Sequence, residues 1–263
     1  MSRPVRVLVH GALGRMGERV RAAIDAESGA ALGGALEAPG HPRLGEELAP
    51  GVRVGADLAG ALSASDVAIA FAPPAATLAL VREAAARGVP CAVGTTGFAP
   101  AERAELERLA AQVPLVVAAN FSVAVNVLVH LTRRASELLG PGFDAEIVEL
   151  HHAAKVDAPS GTALELGAAV AAGRGVSLAA HQVLAREGHT GARAPGAIGI
   201  QALRGGDNPG EHTVIFFGAG ERLELAHRAA TRDHFARGAL RAALWLRGRA
   251  PGLYGMEQVL GLR

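Results

Sequence analysis

Residues 5–20 read VRVLVHGALGRMGERV, and this stretch decides the fold. An apolar run, Val5–His10, ends on a glycine. Gly11, Gly14 and Gly17 follow at G-x-x-G-x-x-G spacing, and residues 15–26 carry the period of a helix. A buried strand that turns on glycine into a helix is the opening unit of a parallel, crossover-connected sheet. Glycine permits the tight turn and lets the backbone approach a pyrophosphate. The helix N-terminus then offers unpaired N–H groups and a positive dipole end. In a chain with 34 glycines, the triplet alone also suits a turn that merely packs helix on sheet. The context favours a dinucleotide. A second strand, predicted over 31–37, ends in Glu37, about 20 residues after Gly17, where an acid binds the ribose hydroxyls of NAD.

The alternation continues outward from that unit. Strands are predicted over 66–71, 89–93 and 115–119, with helices over 77–87 and 100–111. Repeated strand, helix, strand order gives an α/β, Rossmann-like parallel-sheet domain over residues 1–121. Beyond Asn120 the texture changes. A long helix is predicted over 123–139, an alternating strand over 144–150 and a helix over 160–172. Strands then fall at 182–186, 198–203, 212–217 and 221–228, separated by glycine-rich loops. That pattern is an α+β domain with a mostly antiparallel sheet over residues 122–232. The closing helix, from 233, is expected to pack back on the first domain, with the remainder of 233–263.

Composition narrows the function. Half of the 263 residues are hydrophobic and 3% are aromatic, which suits an aliphatic α/β core. A net charge of +1, with basic residues spread along the chain, gives no footprint for nucleic acid or an anionic membrane. The single cysteine, Cys91, forbids an internal disulfide and a cysteine-based zinc site, and its apolar setting reads as a buried strand. No signal peptide or spanning segment is expected, so the chain reads as cytoplasmic.

Two further loops follow strand ends of the first sheet, VGTTGF (93–98) and AANFSVAVN (118–126). Ligands of open α/β sheets bind at the carboxyl ends of strands, so Gly94, Thr95, Thr96 and Asn120 are candidates for holding nicotinamide and its ribose. An ordinary turn remains an alternative for GTTG. Arg15, in the glycine turn, can reach a phosphate or cover an adenine face. Ala38 follows Glu37 with no adjacent arginine to grip a 2′-phosphate, so NADH is expected to serve at least as well as NADPH. Arg43 weakens that expectation if its loop folds back.

In the second domain, residues 149–164 read ELHHAAKVDAPSGTAL. His151 and His152 point to opposite faces if they end a strand. Lys155, the only lysine in the chain, lies just beyond. Ser160 is a plausible N-cap, with Gly161 and Thr162 opening the helix. A lysine, a histidine and a helix start together suit a small polyanion, and either side chain can supply a proton. Three bland alternatives stay open: a metal pair from the two histidines, though Asp144, Glu146, Glu149 and Asp157 give no recognisable third-ligand spacing; a structural His151; and a solvated Lys155. The loops RGGDNPGEHT (204–213) and GHTGARAPGAIG (188–199) can form a mobile lid or be long sheet connections.

With GALGRMG (11–17), VGTTGF, AANFSVAVN, ELHHAAKVDAPSGTAL, RGGDNPGEHTVIFFGAGERLELAHRA (204–229) and FARGALRAALWL (235–246) in order, the chain resembles the 4-hydroxy-tetrahydrodipicolinate reductase family. The resemblance implies reduction of (2S,4S)-4-hydroxy-2,3,4,5-tetrahydrodipicolinate, a small dicarboxylate, with NADH or NADPH and release of water, in diaminopimelate and lysine biosynthesis. It implies His151 as proton donor and Lys155 as a second catalytic residue, with His152, Ser160, Gly161 and Thr162 touching substrate. It also implies cofactor contacts from Gly11, Ala12, Leu13, Gly14, Arg15, Met16, Glu37, Gly94, Thr95, Thr96, Ala118, Ala119, Asn120 and Phe121, no metal, and a homotetramer joined through the sheets of the second domain. The family often carries an arginine where this chain has Ala38. The rivals are another two-domain nicotinamide-dependent amino-acid dehydrogenase, which does not explain HH-x-x-K-x-DAPSGT, and a non-catalytic NAD-sensing protein.

Overall fold

The structure, a computed structural model, describes residues 3–262. The chain divides into two compact units. One runs through Val123 and resumes at Asp233; the other is Ala124–Arg232.

The first unit is built on strands β1 (Val5–His10), β2 (Ala30–Leu36), β3 (Glu47–Ala49), β4 (Val52–Gly55), β5 (Val67–Ala70), β6 (Cys91–Val93) and β7 (Pro114–Val117). Helices α1 (Arg15–Asp25), α2 (Leu58–Ser63), α3 (Pro74–Arg87) and α4 (Pro100–Ala110) connect them. After the second unit's elements, α8 (Asp233–Leu246), β13 (Gly252–Tyr254) and α9 (Met256–Leu260) complete it. The strand order is β13-β7-β6-β5-β1-β2-β4-β3, and every neighbouring pair is parallel except β3 with β4.

Continuous apolar strands are explained by burial on both faces. Val5, Val7 and Val9 of β1 face one core with Val20 and Ile24 of α1 and Ala239 and Leu246 of α8. Leu8 faces the other, with Leu78, Val81 and Leu106 of α3 and α4. The chain reverses direction across the sheet between β1 and β5, so their carboxyl ends form the switch-point crevice where such sheets bind ligands. The expected strands and helices of this unit are present with ends shifted by a few residues. The β3–β4 hairpin, α2, β13 and α9 were not foreseen.

The second unit contains α5 (Val123–Leu139), a 3₁₀ turn (Gly140–Gly142), β8 (Asp144–His151), α6 (Gly161–Gly173), α7 (Leu178–His181), β9 (Gln182–Val183), β10 (Ile198–Arg204), β11 (Glu211–Phe217) and β12 (Arg222–Arg228). Its sheet runs β12-β11-β8-β10-β9. The β12–β11 and β11–β8 pairs are antiparallel and supply most of the ladder, while β10 runs parallel to β8 and β9. One face packs against α5 and α6 through Leu128, Ile147, Leu166, Val170, Ile200, Val214 and Phe216. Alternation along β8 places Ala145, Ile147, Glu149 and His151 on that buried side. Two ionisable side chains therefore occupy the core-facing row, at the carboxyl end of the central strand. Among the described residues, no helix is long and apolar enough to cross a membrane.

Candidate active site

In the first unit, the glycine turn has the geometry a pyrophosphate needs. Gly11 takes φ +79°, a conformation L side chains rarely adopt, and a Cβ on Gly17 would stand 2.0 Å from the Gly11 carbonyl oxygen. Only glycine lets α1 start this close to β1. Gly14 is the N-cap and no side chain caps the helix, so its first N–H groups remain for a ligand. Ala12 is buried beneath the turn, while Arg15 is exposed and Met16 half-buried beside it. Glu37 follows β2, and its Oε1 accepts from the Leu13 N–H at 2.6 Å. The carboxylate is thereby fixed beside the turn, with Oε2 available for a ribose hydroxyl. The fit to a dinucleotide is good on three independent counts: close approach, an uncapped helix start and an anchored acid.

The outer loops divide by exposure. Thr95 is buried, and its hydroxyl is engaged with Thr77 Oγ1 at 2.7 Å and the Ala72 carbonyl at 2.8 Å. It positions the loop, whereas Thr96 is exposed. Gly94 lies against the Phe71 ring. Thr95, Thr96, Phe98, Val117, Ala119 and Leu253 help to line a cavity of about 230 Å³ at the ends of β6 and β7. Ala118 continues from β7 through a hydrogen bond to the Val93 carbonyl at 3.1 Å. Asn120 Oδ1 accepts from the Ser122 N–H at 2.8 Å, and Phe121 is buried with its ring edge-on to Phe71.

Arg43 bears on cofactor choice. Its guanidinium grips Glu46 through two hydrogen bonds, 2.6 and 2.7 Å, and lies within electrostatic reach of Glu37 and Glu18, so its loop does come near the ribose acid. Ala38 beside Glu37 offers no grip for a 2′-phosphate, whereas Arg43 near Glu37 is a cation that can meet one. Kinetic constants for both cofactors decide between the two: on the Ala38 reading, kcat/KM with NADH is expected to equal or exceed that with NADPH. A strong NADPH preference would contradict it.

In the second unit, β8 delivers His151 into a built cluster. His151 Nδ1 lies 2.5 Å from Glu149 Oε2. Glu149 is fully buried. Arg204 from the end of β10 clamps it bidentately, Nη1 to Oε2 at 2.8 Å and Nη2 to Oε1 at 2.9 Å. The Ser160 N–H donates to Oε1 at 3.0 Å. Burial pushes the Glu149 pKa up, but the Arg204, His151 and Ser160 hydrogen bonds outweigh it and hold the carboxyl below its ordinary value. Burial also pushes the His151 pKa down, only partly offset by the pull of Glu149, with Lys155 and Arg204 pushing further down. The resting ring is therefore biased towards neutral, with Nδ1–H donated to the ionised carboxylate and a lone pair on Nε2.

Gly210 stands over that Nε2. A Cβ there would come within 2.8 Å of it, and the φ of +144° is itself a glycine conformation. Gly210→Ala is expected to lower kcat at least tenfold by crowding the nitrogen, with far-ultraviolet circular dichroism unchanged. An unaffected kcat would show that Nε2 does no chemistry.

Ser160 caps α6 by accepting from the Ala163 N–H at 3.1 Å, and its Oγ lies 3.0 Å from His212 Nε2. Both contacts of the Ser160 hydroxyl are thus within the chain. Gly161 is exposed, with open space where a side chain would project, and Thr162 follows in the first turn. Lys155 folds back through a turn closed by its N–H on the His152 carbonyl at 3.1 Å. Its Nζ contacts both oxygens of the exposed Asp157 at 2.7 Å. The described arrangement thus pairs the lysine with a carboxylate, an interaction of the kind an incoming carboxylate can replace. His152 Nε2 faces Arg232 Nη2 at 3.3 Å.

Three backbone hydrogen bonds tie the segment 204–210 to the histidine turn. The Gly205 N–H bonds to the His151 carbonyl at 3.0 Å, the His152 N–H to that of Asn208 at 2.9 Å and the Ala153 N–H to that of Gly206 at 3.1 Å. The segment frames the histidines. Within 188–199, Arg193 fastens the chain to Asp144, Glu146 and the Ala145 carbonyl. These partners lie at the opening end of β8, about 20 Å from His151 at 3.3 Å per residue.

Glu149, Arg204, Gly210 and His212 were missed as a functional group. His212 is buried edge-on to His151, ring centroids 5.2 Å apart, and burial lowers its pKa to about 4. An unfolded histidine protonates near 6.5. Between about 6.5 and 4 the unfolded chain binds more protons, so stability is full above this window and falls as pH drops through it. The contribution of His212 is at most about 3 kcal/mol. Urea midpoints at pH 7.5 and 4.5 should converge in His212→Gln relative to the unsubstituted chain; parallel acid losses in both would contradict this.

A glycine-turn dinucleotide site and a histidine–carboxylate cluster at a helix start define a nicotinamide-dependent oxidoreductase. The family model "Dihydrodipicolinate reductase, N-terminus" matches residues 5–121, and "Dihydrodipicolinate reductase, C-terminus" matches residues 124–260. The chain is 49% identical to the 4-hydroxy-tetrahydrodipicolinate reductase of Thiobacillus denitrificans, over 98% of this chain and 99% of that one. It is 50% identical to that of Rhodopseudomonas palustris, over 98% and 97%. A solved structure, dipicolinate-bound dihydrodipicolinate reductase from Paenisporosarcina sp. TG-14, shares the fold with a TM-score of 0.80 at 24% identity, covering 96% of this chain and 97% of that one. The chain belongs to the dihydrodipicolinate reductase family, now called 4-hydroxy-tetrahydrodipicolinate reductase.

Proposed function

We propose that this chain catalyses the reduction of (2S,4S)-4-hydroxy-2,3,4,5-tetrahydrodipicolinate to 2,3,4,5-tetrahydrodipicolinate by NADH or NADPH, with release of water, in diaminopimelate and lysine biosynthesis. The observation that carries this reading is the imidazole at the end of β8, held by a buried carboxylate beside a lysine and a helix start. The substrate is a small cyclic dicarboxylate. Lys155 and the opening of α6 at Gly161–Thr162 offer positive charge and a dipole end for a carboxylate, and His152 lies alongside. The bound nicotinamide supplies a hydride. Gly11–Met16 and Glu37 hold its dinucleotide, with Gly94–Thr96 and Ala118–Phe121 at the nicotinamide end.

Net reduction consumes one hydride and one proton and releases one water. His151 is suited to the proton. A dicarboxylate beside it raises the imidazole pKa from its depressed resting value, so substrate binding charges the donor. Glu149 then faces an imidazolium at Nδ1, and Nε2 carries the transferable proton. Lys155 serves as a second donor or as the carboxylate clamp; its compact ammonium can do either, whereas a guanidinium cannot give up a proton.

The second unit also carries the assembly surface. Opposite α5 and α6, the sheet exposes Leu203 and Phe217. Apolar residues on an uncovered sheet face support self-association as a homotetramer, in the cytoplasm. Sedimentation equilibrium checks the stoichiometry. For function, purified protein is assayed with the hydroxylated dicarboxylate and, separately, with aspartate and homoserine. Cofactor turnover is expected with the first alone; activity confined to the amino acids would favour an amino-acid dehydrogenase.

A further inference from the structure

Glu149 stands where a strand normally buries a hydrocarbon. Its neighbours in the core-facing row of β8 are Ala145 and Ile147, and its side chain is fully buried. A carboxylate in that position is tolerated only if its lone pairs are satisfied. Here they are: each oxygen takes one Arg204 nitrogen, Oε1 takes the Ser160 N–H and Oε2 takes His151 Nδ1. Arg204 and Ser160 alone would make an adequate structural site. The contact to His151 adds something different, because an ionised carboxylate only accepts, and so dictates which ring nitrogen bears hydrogen.

We propose that Glu149, held ionised by Arg204, is a positioning residue that commits His151 to Nδ1–H and so makes Nε2 the atom that gains and delivers the proton. Nε2 is the nitrogen left uncovered by Gly210. Arg204 also donates to the Asp157 carbonyl at 2.7 Å, which ties the Lys155 turn to the same carboxylate. The charged and titratable groups facing His151 are Glu149 on its own strand, Lys155 from the following turn, Arg204 from β10 and His212 from β11. His227 of β12 stands behind His212, ring centroids 6.5 Å apart. Glu149 is the anion of this set that touches the ring. This inference rests on His151 being the proton donor.

The test uses the full chain with Glu149→Gln, Glu149→Asp and Arg204→Gln, read in two ways. Nitrogen-15 NMR of the histidine rings reports the tautomer and titration of His151. The pH dependence of kcat/KM reports the proton in catalysis. In the unsubstituted protein His151 is expected as the Nδ1–H tautomer. Glu149→Gln is expected to lower the His151 pKa by about one unit or more, so that activity falls about tenfold at pH 8 and recovers towards pH 6. Arg204→Gln, which removes the cation that keeps Glu149 ionised, should weaken the Nδ1–H preference of His151 as Glu149→Gln does. Glu149→Asp should restore the direction of the unsubstituted profile.

A changed His151 tautomer in both glutamine variants, restored in Glu149→Asp, cannot arise from general loosening. Uniform loss at every pH, with an unshifted His151 titration, would overturn the proposal. If Glu149→Gln does not fold, the Arg204→Gln and Glu149→Asp profiles decide it by the same criteria. A His151 titration that shifts while the rate profile stays put would leave Glu149 as the positioning residue and overturn His151 as the donor.

Discussion

His151→Ala is expected to lower kcat by about 10²–10⁴-fold, the range for loss of a general acid, with the dissociation constant for NADH unchanged. The size follows from the burial of the ring. His151 is 9% exposed, so water does not readily take its place as donor. Its removal also leaves Glu149 Oε2 with Arg204 alone, so a modest loss of stability should accompany the catalytic loss. Lys155→Ala should separate from this pattern through KM. The ammonium contacts the carboxylate of Asp157 in the described state and is suited to exchange that partner for substrate. Its loss should therefore raise KM as well as lower kcat. Lys155→Arg keeps the charge and is expected to recover KM more than kcat if the lysine gives a proton, and both if it only clamps. Near-normal kcat in both alanine variants would remove the two residues from the mechanism.

The second large effect lies in the first unit. Gly17→Ala places a methyl 2.0 Å from the Gly11 carbonyl oxygen and 2.8 Å from the Ala12 Cα, distances no Cβ tolerates. These atoms are backbone, so no side chain can swing aside, and α1 must lift from the end of β1. Overpacking of this kind costs about 1–3 kcal/mol. The lift also moves the uncapped N–H groups of α1 away from the Leu13–Glu37 contact that fixes the ribose acid. NADH affinity is expected to fall at least tenfold, equivalent to about 1.4 kcal/mol. Equal NADH affinity in Gly17→Ala, measured by calorimetry, would show that the turn only packs helix on sheet.

Much of this architecture was legible because local pattern and tertiary burial agree. Val5–His10 and Val123–Leu139 have the same bounds in the sequence reading and the structure, since one is buried on both faces and the other has a clear apolar stripe. The β3–β4 hairpin escaped detection because its strands are short, lie at a sheet edge and carry charges such as Glu47 and Arg53. The pairing of β10 parallel to β8 required a crossover that local pattern does not reveal.

Site residues divide the same way. His151, Lys155 and Ser160 stand in one stretch and were visible together. Arg204 and His212 reach the cluster only through sheet register: Arg204 lies opposite His151, and His212 opposite Glu149. No local signal carries that register. Glu149 stands two residues before His151 on the same strand face, where its spacing suits no metal site but its alternation puts it beside the imidazole. The alternation that buried His151 also buried Glu149, and a carboxylate in a buried row was the available clue.

The central claim is a hydride delivered by the nicotinamide to a cyclic dicarboxylate, joined by a proton at a site organised around His151. It is tested most directly with NADH carrying deuterium at both C4 positions, in ordinary water, with the hydroxylated substrate generated in situ and the product followed by mass spectrometry. One deuterium per molecule of tetrahydrodipicolinate, formed in step with cofactor oxidation and lost in His151→Ala, is the predicted result. Product free of deuterium, or no oxidation of either NADH or NADPH in the presence of substrate, would contradict the account.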